Sequence, residues 1–185
     1  EAEKFLQNGG FLPSPNFSTI VEGVNGPLTG PAEFVDVSDT FTLNIISADD
    51  SAGQGGSFDV GGDILVKLED AAGTSASGDA ETFTLNATIN DDNEDTLADG
   101  INARTLTVAG VENLVISSVV VSTDGASPDT DAAAHILTAN FIAADAESIF
   151  ITGTGGVDLS AVATIGEVNT VDASGSTGNV TVDFS

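Results

Sequence analysis

One apolar pattern recurs three times in the last third of the chain, and it restricts the fold more than any other feature. Val111-Glu112-Asn113-Leu114-Val115-Ile116-Ser117 is matched by Ala146-Glu147-Ser148-Ile149-Phe150-Ile151-Thr152. Val168-Asn169-Thr170-Val171-Asp172-Ala173-Ser174 repeats the pattern more loosely. The second copy starts 35 residues after the first, and the third starts 22 after the second. If 22 residues is the unit, the first interval carries 13 more, and Ser122 to Ala134 is a segment of that length with loop composition. Insertions are tolerated in such connections because they run over the surface. A unit of ~20 residues with short β-runs and Gly or Asn turns predicts a β-solenoid, whose coils bury their apolar positions only by stacking on neighbours. Val157-Asp158-Leu159 and Val180-Thr181-Val182 supply the second side of the coil. A strand-like run just before Ser185 predicts an open sheet edge, which either continues into a longer protein or pairs with another subunit.

Upstream, the hydrophobic period is also two. Phe34 to Val37, Phe41 to Ile45, Asp63 to Leu68 and Glu81 to Ile89 read as strands. Polar segments rich in Gly, Ser and Asp separate them: Ser47 to Ser57, Asp70 to Asp79 and Asn90 to Gly100. Short alternating strands with such turns predict a β-sandwich or a related β-layer. Residues 1–31 differ, holding Pro13, Pro15, Pro27 and Pro31 together with Lys4, Phe5, Phe11 and Phe17. Proline at this density disfavours long helices and central strands. The segment is read as an extended N-terminal arm, docking on another surface or packing on its own domain. The expected fold is all-β, with an arm over 1–31, a β-sandwich-like module over 32–100 and a short parallel β-solenoid, or β-helix, over 101–185.

Composition narrows the function. The 29 acidic residues face three basic ones, Lys4, Lys67 and Arg104, for a formal charge of -26. Such charge is compatible with disorder when hydrophobicity is low, but 41% of these residues are hydrophobic. Val, Ile, Leu, Thr and ten Phe are β-forming material, so a folded chain with an acidic surface is expected. Phosphate repulsion argues against nucleic acid and against anionic membrane surfaces as partners, and no apolar run approaches the ~20 residues of a membrane helix. Cations, above all Ca²⁺, and further copies of the chain with ions between them are the expected partners. A halophilic or marine solvent would favour the same surface.

The chain has no Cys, hence no disulfide framework, thiolate nucleophile or zinc-thiolate site. Exterior life without disulfides points to a bacterial cell surface. The start at Glu1, with no basic and apolar signal segment, is read as a processed mature end or as export by a C-terminal signal outside the sequence. His135 is the one histidine, so a Ser-His-Asp triad would have to use it; its place after an Ala run and before Ile136-Leu137 predicts a strand-edge or packing role. Glycosidase chemistry needs two facing carboxylates, but the chain lacks Trp and Tyr as sugar platforms. The expectation is a protein that is not an enzyme.

Three acidic loops are candidate calcium hosts, because Ca²⁺ takes six to eight oxygen ligands from carboxylates, carbonyls and water. The densest is Asn90 with Asp91, Asp92, Asn93, Glu94, Asp95 and Asp99. Asp124, Asp129 and Asp131 lie in the 13-residue insertion, and Asp49 and Asp50 precede a Gly-rich turn within reach of Asp59 or Asp63. None follows the EF-hand order, and each loop is either a Ca²⁺ site or a solvated acidic surface.

The runs Gly110 to Ile116, Thr152-Gly-Thr-Gly-Gly-Val-Asp-Leu-Ser160 and Val168 to Val182 resemble the β-solenoid repeats of Gram-negative S-layer proteins that are exported by type I secretion and are similar to RTX proteins. The resemblance covers roughly residues 101–185. It implies a two-dimensional lattice on the cell surface, with Ca²⁺ within and between subunits. Tandem glycine-rich nonapeptides are missing, with only Gly55 to Asp59 and Gly61 to Leu65 hinting at them. The leading expectation is a calcium-stabilised, self-assembling subunit of an extracellular layer or filament, with cell-surface polysaccharide as a further partner. The alternative is an adhesin or biofilm-matrix module binding a glycan or surface. A glycan hydrolase or lyase on a β-solenoid stands third.

Overall fold

A computed structural model describes residues 18–22, 31–37, 41–47, 57–60, 62–68, 80–91, 99–122, 135–160, 164–165 and 168–183. These residues form fourteen strands and no helix. In chain order they are β1 (Ser18–Glu22), β2 (Ala32–Val37), β3 (Thr42–Ile46), β4 (Ser57–Asp59), β5 (Ile64–Leu68), β6 (Thr82–Asp91) and β7 (Gly100–Ala109). There follow β8 (Asn113–Ser122), β9 (Ile136–Ala143), β10 (Ser148–Gly153), β11 (Gly156–Leu159), β12 (Thr164–Ile165), β13 (Thr170–Ser176) and β14 (Val180–Val182).

The strands build two sheets, and every pairing is parallel. The first sheet has the order β1-β3-β6-β8-β10-β13, and the second runs β2-β5-β7-β9-β11-β14, with β4 on β7 and β12 on β9. Parallel neighbours need a crossover connection, and here the crossover of each sheet is a strand of the other. Each sheet therefore adds its strands in chain order, singly in the first sheet, while the second sets both β4 and β5 on β7 and both β11 and β12 on β9. The repeat seen in the sequence is the register of the first sheet: Ser148 pairs Asn113, 35 residues earlier, and Thr170, 22 residues later. Val157-Asp158-Leu159 pairs Val180-Thr181-Val182 in the second sheet.

The two-layer arrangement expected over residues 32–100 is present, but its strands are parallel and belong to the same sheets as the turns that follow. β6 pairs β8 over ten residues and β5 pairs β7, so the sheets run across residue 100 without a change of architecture. The variable connections hide this continuity, because the first sheet advances 42 residues from Thr42 to Thr84 but 31 from Thr82 to Asn113. Ser18–Glu22, inside the expected arm, is strand β1 and pairs β3.

The core lies between the sheets, built by alternation that sends every second side chain inward. In the first sheet Leu43, Leu85, Ile116 and Ile151 share one register column and are fully buried. In the second, Ile64, Leu106 and Phe141 do the same. Phe41 stacks on Phe83 at a centroid distance of 6.3 Å and touches Phe34 at 5.6 Å. Each such side chain contributes roughly 1.5–3 kcal/mol on burial. Outward columns of the first sheet are neutral, as in Thr42–Thr84–Val115–Phe150 and Asn44–Asn86–Ser117–Thr152. Within the second, Asn86 Nδ2 donates to Asn44 Oδ1 at 3.0 Å.

Two local devices shape the turns. The register of β7 slips between Asn102 and Thr105, where Arg104 has φ 57° and its N–H donates to Asn102 Oδ1 at 3.0 Å. The slip lets β7 pair β4 with its first residues and β5 with its last. Between β10 and β11, Gly153 has φ 108°, and a Cβ there would lie 2.0 Å from the Ser118 carbonyl oxygen. Successive turns touch backbone to backbone at this corner, with Gly155 N–H donating to Ser118 O at 2.9 Å.

Candidate functional site: acidic edges of the stack

The connections that carry the predicted calcium loops leave from neighbouring strand ends. The segment with Asp49 and Asp50 joins β3 to β4, that with Asp91 to Asp99 joins β6 to β7, and that with Asp124, Asp129 and Asp131 joins β8 to β9. β3, β6 and β8 are consecutive in the first sheet, and β4, β7 and β9 are consecutive in the second. The C-terminal ends of β3, β6 and β8, which precede the three acidic segments in the chain, therefore lie side by side along one edge of the first sheet, about 4.8 Å apart.

Of the predicted ligands, Asp91 and Asp99 are described; Asp49, Asp50, Asp92, Asn93, Glu94, Asp95, Asp124, Asp129 and Asp131 lie outside the described residues. Asp91, at the end of β6, is buried with its partner in register being Ser122. The neighbouring turn is tied to this end through Ser47, whose Oγ accepts the Asn90 N–H at 2.8 Å and whose carbonyl accepts from Asn90 Nδ2. Asp99 is half-buried and precedes Gly100, which pairs Ile136. The register therefore sets Asp99 one turn before His135. His135 is 2% exposed, its carbonyl accepts the Gly156 N–H at 2.8 Å, and its Nδ1 has no hydrogen-bond partner. This agrees with the packing role expected of it. Ser118 Oγ is likewise buried without a partner, beside the Gly153–Gly155 corner. Among the described residues no three His, Asp or Glu side chains are grouped to hold a metal ion.

The opposite edge carries a column that the acidic-loop reading missed. Glu81, Glu112 and Glu147 precede β6, β8 and β10 in equivalent positions. The backbone ladder joins them: Asn113 N–H donates to Glu81 O at 3.0 Å, and Glu147 N–H to Glu112 O at 2.8 Å. Glu81 is 6% exposed, and its N–H donates to Glu112 Oε2 at 2.8 Å. The hydrogen bond between the two carboxyls raises the Glu81 pKa first of all, with burial and the charge of Glu112 adding to it and a backbone hydrogen bond opposing. Asp145 Oδ2 accepts the Gly110 N–H at 3.3 Å on the same edge. The sequence signal was the second position of the repeat, Glu112 and Glu147 in two copies and Asn169 in the third.

On the last turn of the first sheet, Asp172 is held below the usual carboxylate range by hydrogen bonds from Ser174, whose N–H donates to Oδ1 at 2.9 Å. This bond spans the register slip that separates the Phe150 and Thr152 pairings.

No protein family, curated protein or solved structure matches the chain.

Proposed function

We propose that this chain is a structural subunit of a self-assembling extracellular layer or filament on a bacterial surface, a β-solenoid stabilised by calcium and not an enzyme. The observation that carries the reading is that the strands flanking the three acid-rich segments are neighbours, β3, β6 and β8 in one parallel sheet and β4, β7 and β9 in the other. Like charges brought near one another repel unless a cation lies between them. Hard divalent ions with oxygen ligands suit acid-rich segments of this composition. The formal charge of -26 opposes association of copies in the same way, and bound Ca²⁺ lowers that barrier. The resemblance of residues 101–185 to S-layer repeats points in the same direction.

The test is electron microscopy and thermal melting of the chain in Ca²⁺ and in EGTA. Ordered assemblies in Ca²⁺ that dissociate in the chelator, with a lowered melting temperature, support the reading. Assemblies that persist in EGTA with unchanged melting would refute the calcium role. A monodisperse chain that holds a glycan at high Ca²⁺ would favour the adhesin reading instead.

A further inference from the structure

We propose that the outer face of the first sheet is a self-association surface, on which a second copy of this chain packs its own identical face. The inference rests on the reading of the chain as a self-assembling subunit and adds one surface by which two copies pair. Every outward position of β3, β6, β8 and β10 is Thr, Asn, Ser, Val, Ile or Phe. No charged side chain projects from these four adjoining strands, although the chain holds 29 acidic and three basic residues. The second sheet differs, with Glu33, Lys67 and Arg104 exposed and Asp158 half-buried on its outer side. Among the described side chains, charge reappears at the border of the neutral face, where exposed Asp172 on β13 is in register with Phe150.

Two copies that each carry -26 charges repel wherever charged surfaces meet. The neutral face is where two copies approach with the least of that repulsion. Its polar groups are amides and hydroxyls, which desolvate far more cheaply than carboxylates. Apolar contact is available from Val121, 42% exposed, and Phe150, 37% exposed. In-register ladders keep the face regular, and two sheets stack face to face at about 10 Å.

Four strands ~4.8 Å apart and ~8 residues long cover about 500 Å² per copy. Two copies then bury about 1,000 Å², at the lower bound for a specific interface. The same face on both partners makes the contact isologous, with twofold symmetry and a closed dimer. The dimer is weak and reversible, and salt tightens it by screening the surrounding carboxylates.

Sedimentation velocity tests this on the full chain in EGTA, from about 1 µM to about 1 mM protein and from about 20 mM to about 500 mM salt. A reversible monomer–dimer equilibrium that strengthens with salt is expected. Asn86→Glu or Ser117→Glu, each placing a carboxylate on the face, weakens the dimer at least tenfold. Thr107→Glu, on the outer side of the second sheet, leaves the dissociation constant within about twofold. Melting curves show whether each variant is folded, and two independent face variants protect the test against one misfolding. A wild type that stays monomeric throughout overturns the proposal. So do face variants that dimerise like wild type, or a Thr107→Glu variant weakened as much as they are. Because Ca²⁺ is excluded, loss of the calcium-dependent assembly would leave this dimer in place, and the two failures are separable.

Discussion

Glu81 is the residue at which the charge of this chain becomes a local constraint. Its carboxyl and that of Glu112 sit on adjacent turns and share a hydrogen bond, so the folded state holds a proton on Glu81 above the ordinary glutamate range. A raised folded pKa contributes stability that is complete below the unfolded value. That contribution is lost as pH rises through the folded value. Above that value the proton is gone from Glu81, the hydrogen bond between the carboxyls is lost, and the contact works against the fold. Glu112→Gln keeps an acceptor for the Glu81 N–H and removes the repulsion. Urea denaturation at pH 4 and pH 7 is expected to show this variant gaining stability relative to wild type as pH rises. Glu33→Gln, an exposed site on β2 with the same change in net charge, is the comparison. Parallel pH curves for Glu112→Gln and Glu33→Gln would remove the pair from the account. The repeat made this column legible, since Glu occupies its second position in two copies. The hydrogen bond was not legible, because it depends on which turn lies next to Glu112.

At the level of strands and turns, close packing between successive corners sets the tolerance to change. Gly153 combines a positive φ with a Cβ position occupied by the Ser118 carbonyl. Gly153→Ala therefore requires backbone movement and is expected to cost about 2 kcal/mol or more, read as a lowered urea midpoint with unchanged m-value. A loss below about 0.5 kcal/mol would mean that the corner relaxes freely. Strands with a clear apolar alternation were readable: the runs ending near Ile45, Leu68 and Ile89 correspond to β3, β5 and β6, and the run ending at Val37 to β2, whose register slips between Phe34 and Val37. β7 was not, because the slip at Arg104 puts Ile101 and Ala103 in one phase and Leu106 and Val108 in another, with all four buried. β9 was hidden by small inward residues, Ala139 and Ala143, that alternate with Leu137 and Phe141. The offsets of 35 and 22 are the register of the last two first-sheet pairings, β8 with β10 and the start of β10 with β13. Earlier strands of the sheet pair in the same parallel order, but their unequal advances of 24, 42 and 31 residues broke the period on which the repeat was recognised. The adjacency of β3, β6 and β8, the strands before the three acidic segments, had the same obstacle.

At the scale of the whole molecule, the described strands form two parallel sheets that run through residues 32–100 and 101–185 alike. The outward columns of β3, β6, β8 and β10 are neutral, the outer side of the second sheet carries Glu33, Lys67 and Arg104, and the interior is largely apolar. Ladder hydrogen bonds between parallel strands run along the direction in which the turns are stacked, so the described turns are joined in series. Tension applied along that direction loads one ladder at a time, and the chain opens as a zipper. Each opening releases the residues of one turn, at most ~3.5 Å apiece. Peeling the β13 turn from β10 frees 22 residues, or about 7–8 nm, and separating β6 from β3 frees 42, or about 14–15 nm. Single-molecule stretching is expected to give a sawtooth of unequal steps in this range, with a single long extension as the contrary result. Unequal turns would then act as extensible links of different reach, allowing the molecule to lengthen under load by yielding locally while the remaining turns keep their fold.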